Sequence, residues 1–117
     1  MQNNMPPTLP NRVRNRRSSL RNIPRGTVKL ECRRGSIGLG KNIAAQFLDI
    51  SEGGARLVVS QALVAGEEVE ILILAATKVK RLANITWVLS LDDGNFCVGL
   101  EFQKKLRFIE LSQSVRP

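Results

Sequence analysis

The chain has 117 residues, 43% of them hydrophobic, the size and composition of one globular domain, and its net charge of +8 at pH 7 calls for an anionic partner: nucleic acid, a phosphorylated small molecule or a membrane surface. Histidine, the commonest general base and metal ligand, is absent, and Cys32 and Cys97 lack the Cys-x-x-Cys spacing of a zinc site, so both read as small core residues and no resident cofactor is expected. No apolar run approaches the ~18 residues of a membrane span, and the N-terminus lacks the apolar stretch of a secretory signal, so the chain reads as soluble and cytoplasmic.

Residues 1–15, rich in Asn, Pro and Arg, show no hydrophobic period and are expected to form a flexible arm. The basic stretch continues to residue 25: Arg12, Arg14, Arg16, Arg17, Arg21 and Arg25 occur there with no acid. Near Gly26 the pattern changes to period two. "TVKLEC" sets Val28, Leu30 and Cys32 on one face. "CRRGSIGLGKN", with Gly35, Gly38 and Gly40, reads as a turn or irregular strand connection, and its Arg33, Arg34 and Lys41 as solvated charge or an extension of an anion surface.

"IAAQFLDI" is a mostly apolar strand. "ISEGGARLVVS" turns at Gly53–Gly54 and then alternates through Ala55, Leu57 and Val59. "AGEEVEILIL" turns at Ala65–Gly66 and points Val69, Ile71 and Ile73 inward. "VKRLANITWVLSL" alternates through Ile85, Trp87 and Leu89, which puts Trp87 inside. "DDGN" at 92–95 is a hairpin turn, since Gly94 and Asn95 tolerate positive φ. "FCVGLEF" returns with Phe96, Val98, Leu100 and Phe102 on one side. The tail "KKLRFIELSQSV" breaks the alternation. Leu106, Ile109 and Glu110 share helical spacing, with Phe108 and Leu111 close by, which predicts a short helix plugging one end. About six strands joined by short turns argue for an antiparallel sheet that closes into a barrel, which leaves few strand edges bare.

Two stretches carry recognition chemistry. In "DISEGG", an inward Ile50 sends Asp49 and Ser51 to the same outer face. A carboxylate beside a hydroxyl suits a group with adjacent N–H donors, such as the Watson–Crick edge of guanine, and a following glycine admits a planar ring close to the backbone. The same residues equally describe a strand end in which Asp49 and Ser51 cap backbone groups and Gly53–Gly54 turn the chain. In "RRSSLR", Arg17 and Arg21 form Arg-x-x-x-Arg. Guanidinium forks suit phosphate, the O6/N7 edge of guanine, and stacking on a base. Spacing alone leaves the register open, because Arg12 with Arg16 and Arg21 with Arg25 satisfy it too.

An arginine pair ahead of the first strand, Asp-x-Ser-x-x-Gly about thirty residues on, and a closing Trp-bearing strand paired with "VGLEF" follow one another in order. Together they resemble the PilZ domain, the bacterial receptor module for cyclic di-GMP, over roughly residues 16–110. "DISEGGARL" and "VGLEF" are the most specific pieces. The resemblance implies a six-stranded antiparallel split or Greek-key β-barrel with a short C-terminal helix. The domain would then span 16–114, including an arginine arm at 16–25, behind the flexible residues 1–15.

The resemblance favours Arg17 and Arg21, with Arg16 beside them, as the clamp on phosphates and guanine edges. It implies that Asp49 and Ser51 hold a guanine, with Gly53 and Gly54 at the turn and Gly54 keeping the approach clear. It also implies a second-messenger receptor without catalysis, whose arm orders on binding and signals to a downstream protein of unknown identity. Two other classes stay beside it. One is a protein–protein adaptor that keeps the fold and ignores the nucleotide. The other is a basic barrel that binds nucleic acid, which the scarcity of outward aromatics disfavours.

Overall fold

The computed structural model describes residues 22–116. The arm at 1–15 and the arginines singled out above, Arg16, Arg17 and Arg21, lie outside the described residues.

Six strands follow in order: β1 (Lys29–Arg34), β2 (Ala44–Ile50), β3 (Gly54–Val59), β4 (Glu68–Leu74), β5 (Lys78–Ser90) and β6 (Phe96–Phe102), then a one-turn helix α1 (Phe108–Ser112). All pairings are antiparallel, in the order β1-β4-β5-β6-β3-β2. Alternation drives this arrangement. β4 buries Val69, Ile71 and Ile73 and turns the residues between them outward. Leu30 and Cys32 of β1, Ala55, Leu57 and Val59 of β3, and Val98, Leu100 and Phe102 of β6 complete the same interior. Burial pushes the Cys32 thiol up to about 12, so it is an inert core group. Cys97, expected in the core with it, is only half-buried and stands outside the core cluster.

The sheet curls until its edges, β1 and β2, meet at one end, giving a nearly closed barrel. The Ile43 N–H donates to the Cys32 carbonyl at 2.8 Å. Asn42 Oδ1 accepts the Cys32 N–H at 2.9 Å and the Ala44 N–H at 3.0 Å. One side chain in the glycine-rich stretch thus closes the seam, and Gly35 and Gly38 reach it through positive φ. The two arginines of that stretch are ion-paired: Arg33 with Glu31 at 2.6 Å and Arg34 with Glu67 at 2.7 Å. Farther along, the seam opens into a groove of about 300 Å3 bordered by Val28, Leu30, Ala44 and Phe47.

Two further expectations are corrected. β5 does not alternate throughout, because a bulge between Ile85 and Trp87 shifts the register against β6. An extra residue in one strand reverses which side chains face inward. Val88 therefore packs against the core, while Trp87 and Leu89 are exposed. In α1 the apolar pair Phe108 and Ile109 is exposed and the acid Glu110 is buried.

The Glu110 carboxylate accepts Arg81 Nη2 at 2.5 Å, the Arg107 N–H at 2.7 Å and Arg107 Nη2 at 3.4 Å. The Arg81 bond fastens α1 to β5, and the Arg107 bonds close the first turn of α1. Burial pushes the Glu110 carboxyl up, but the Arg107 bonds and the Arg81 and Arg107 charges outweigh it and hold the group below the usual glutamate range.

A folded-state pKa below the unfolded one contributes stability that is full above the unfolded value and is lost as pH falls through the folded one. Wild type should therefore exceed Glu110→Gln in stability at neutral pH, with the gap narrowing as pH drops below the glutamate range. Urea unfolding of both proteins across a pH series measures it. A gap that stays constant to low pH would contradict the pairing.

Candidate ligand-binding site

β2 ends by sending Ile50 fully into the core. That burial fixes its neighbours. Asp49 projects the other way and pairs across the hairpin with Arg56 of β3. Arg56 Nε donates to Asp49 Oδ2 at 2.6 Å, and Nη2 contacts the same oxygen. The bond to Asp49 raises the Arg56 pKa further. Asp49 is only 5% exposed, as is Ser51. Both were expected on the outer face, and both are enclosed.

Ser51 opens the turn to β3. Its N–H donates to the Gly54 carbonyl at 2.8 Å and its hydroxyl to the same oxygen at 3.4 Å. The turn is held from outside as well: the Gly53 carbonyl accepts the Phe102 N–H and the Glu52 carbonyl accepts the Leu106 N–H, each at 2.8 Å. Gly54 has a purely internal reason to be glycine, since a Cβ there would collide with the Leu100 carbonyl of β6. At Gly53 a Cβ would meet nothing.

The segment entering the barrel runs along this turn. Asn22 and Ile50 form an antiparallel bridge, with the Asn22 N–H donating to the Ile50 carbonyl at 2.8 Å and the Ile50 N–H to the Asn22 carbonyl at 2.9 Å. Asn22 directly follows Arg21 in the chain, and Ile50 stands between Asp49 and Ser51. The next residues bind the C-terminal tail: the Arg25 N–H donates to the Ser114 carbonyl at 3.0 Å and the Arg116 N–H to the Ile23 carbonyl at 2.9 Å.

The register extends the site sideways. Asp49 faces Arg56, Arg56 faces Gly99, and Gly99 faces Trp87, one lateral row across β2, β3, β6 and β5. The Trp87 indole lies against Gly99 where a side chain would otherwise stand. Sequence reading passed over Arg56, Asn22 and the outward Trp87. A signal existed for Arg56: it has the opposite parity to the inward Ala55 and Leu57, and it sits across the Ser51–Gly54 turn from Asp49.

The family model of the PilZ domain matches residues 15–115. This chain belongs to the PilZ domain family. No curated protein matches the PilZ chain. Among solved structures, one described as the K. pneumonia MrkH complex with c-di-GMP matches with a TM-score of 0.58 and 20% identity, over 81% of this PilZ chain and 47% of that chain. At that identity the likeness concerns the fold, and the PilZ chain spans about half of that protein's length. Among its described residues no helix is long and apolar enough to cross a membrane, and no three His, Cys, Asp or Glu side chains converge as metal ligands.

The two turn glycines should respond differently to alanine. Gly54→Ala forces a Cβ into backbone and should cost about 1–3 kcal/mol. Gly53→Ala should stay within about 0.5 kcal/mol of wild type. Chemical unfolding of both variants decides it, and equal losses would contradict the geometry.

Proposed function

We propose that this PilZ domain is a cyclic di-GMP receptor without catalytic activity or further cofactor. Arg17 and Arg21, with Arg16 beside them, clamp the phosphates and guanine edges. Asp49 and Ser51 hydrogen-bond one guanine. The Asn22–Ile50 bridge carries this reading: a single peptide link separates Arg21 from a residue bonded between Asp49 and Ser51. The end of the arginine motif is thus joined through one peptide bond to a residue that bridges to the Asp-x-Ser-x-x-Gly turn. Family membership and the c-di-GMP named for the MrkH structure support it.

The chemistry fits the ligand. A buried carboxylate discriminates more sharply than an exposed one, because water does not reach it to replace the N–H donors that a wrong base lacks. The internal constraint on Gly54 leaves Gly53, where the place of a Cβ is open, as the point at which a planar ring approaches the backbone. The outward Trp87 adds an apolar wall on the same row. Ordering of the arm over the barrel changes the surface offered to a downstream protein. Charge-assisted bonds of ~1.5–3 kcal/mol each must exceed an ordering cost of ~1–2 kcal/mol per residue fixed.

Calorimetric titration at physiological salt should give saturable binding of cyclic di-GMP and none of GTP or cyclic di-AMP. Arg17→Ala and Arg21→Ala should each weaken it about tenfold or more. Undiminished affinity in both would refute the register, and absence of binding to wild type would favour the adaptor class. The single tryptophan, Trp87, is 39% exposed and supplies a second readout. Its fluorescence should change with the same saturation curve; a flat signal during calorimetric saturation would remove Trp87 from the site.

A further inference from the structure

One charged side chain in the lateral row is absorbed neither by the Asp-x-Ser-x-x-Gly motif nor by the arginine arm. Arg56 spends Nε and Nη2 on a single oxygen of Asp49. Its Nη1 makes no hydrogen bond among the described residues, and its side chain is 46% exposed. On the side away from Asp49 its cross-strand neighbour is Gly99, which contributes no side chain. The pair therefore sets side by side, on the outward face of the β2–β3 hairpin, an enclosed carboxylate that only accepts and a half-exposed guanidinium that only donates.

We propose that Arg56 is a specificity-determining residue of this site, donating to O6 of the guanine whose N1–H and 2-amino group Asp49 accepts. This role presupposes the cyclic di-GMP reading above. The Watson–Crick edge of guanine runs acceptor, donor, donor: O6, N1–H and the 2-amino group. Asp49 alone satisfies the two donors and leaves O6 bare. A fork anchored on the same carboxylate supplies the missing donor, with an orientation fixed by its bond to Asp49. Adenine carries an amine where guanine has O6, so the guanidinium would meet a donor there, a repulsive element that Asp49 by itself does not provide. Anchoring Arg56 on Asp49 also limits the side-chain freedom lost on binding.

The test compares cyclic di-GMP with cyclic di-IMP, which keeps O6 and N1–H and lacks the 2-amino group, on wild type, Arg56→Met and Arg56→Gln. Wild type should prefer cyclic di-GMP. Arg56→Met should bind both ligands about tenfold or more weakly, with the preference between them unchanged, because the lost contact is to O6, which both carry. Arg56→Gln, whose amide can still donate to O6, should recover part of the loss for both.

A collapse of the preference in Arg56→Met would overturn the proposal, since it would mean that Arg56 acts only by holding Asp49 in place. Equal or tighter binding by Arg56→Met would overturn it too and make Arg56 a competitor for Asp49. If wild type binds neither ligand, the receptor reading itself fails, an outcome distinct from both. Thermal midpoints of the variants, at an exposed position, control for folding.

Discussion

Two reciprocal hydrogen bonds between Asn22 and Ile50 decide how this molecule is organised around its site. They add a fragment of a strand to the outer edge of β2 at the one residue whose side chain is wholly in the core. Ile50 cannot move without opening the barrel interior, so the chain entering at Asn22 is registered against the core itself. The same short segment is gripped on its far side by the C-terminal tail, through Arg25 with Ser114 and Ile23 with Arg116. Residues 22–25 are therefore a strap between the end of β2 and the residues beyond α1. A force applied to the chain just before Asn22 bears at once on the Asp49–Ser51 turn and on the C-terminus.

Around that strap, glycine sets how close the strands come. Gly54 lets β3 approach the Leu100 carbonyl of β6, and Gly99 lets the Trp87 indole settle on β6. The charges are arranged with similar economy. Arg33, Arg34, Arg56, Arg81 and Arg107 each hold a carboxylate of the barrel or of α1. Residues 1–21, by contrast, contain five arginines and no acid, so whatever neutralises them comes from the barrel or from outside the chain. Five arginines of the body are thus held by its own carboxylates.

Most of the barrel is legible in the sequence because period-two alternation and glycine turns are local. Val69, Ile71 and Ile73 announce β4, and "DDGN" announces its hairpin through Gly94. What escaped was what depends on a partner distant in sequence. The bulge after Ile85 is a mismatch between two strands and leaves no mark on β5 alone, so Trp87 was assigned to the wrong face. α1 spans one turn, too short for a helical stripe to show which side is buried, and the buried choice is set by Arg81 of β5. Asn42 looked like loop composition until the Cys32 N–H needed an acceptor. In the candidate site, Asp49 and Ser51 were recognisable by type and spacing. Their enclosure, and the Arg56 beside them, follow from the β2–β3 register, which only the folded hairpin reveals.

That enclosure bears on the proposed mechanism. A carboxylate open to water exchanges solvent for a base at little net gain, whereas one already withdrawn from water keeps more of each bond it forms. Arg56 gives Asp49 a resident guanidinium partner, and guanine presents the same chemical fragment, an N–C–N unit bearing N–H donors on one edge. A site folded around an internal guanidinium–carboxylate pair is thereby already shaped, in donor spacing and planarity, for the edge of that base. In the proposed complex the base would join a hydrogen-bond arrangement the hairpin has set, which limits reorganisation at the barrel.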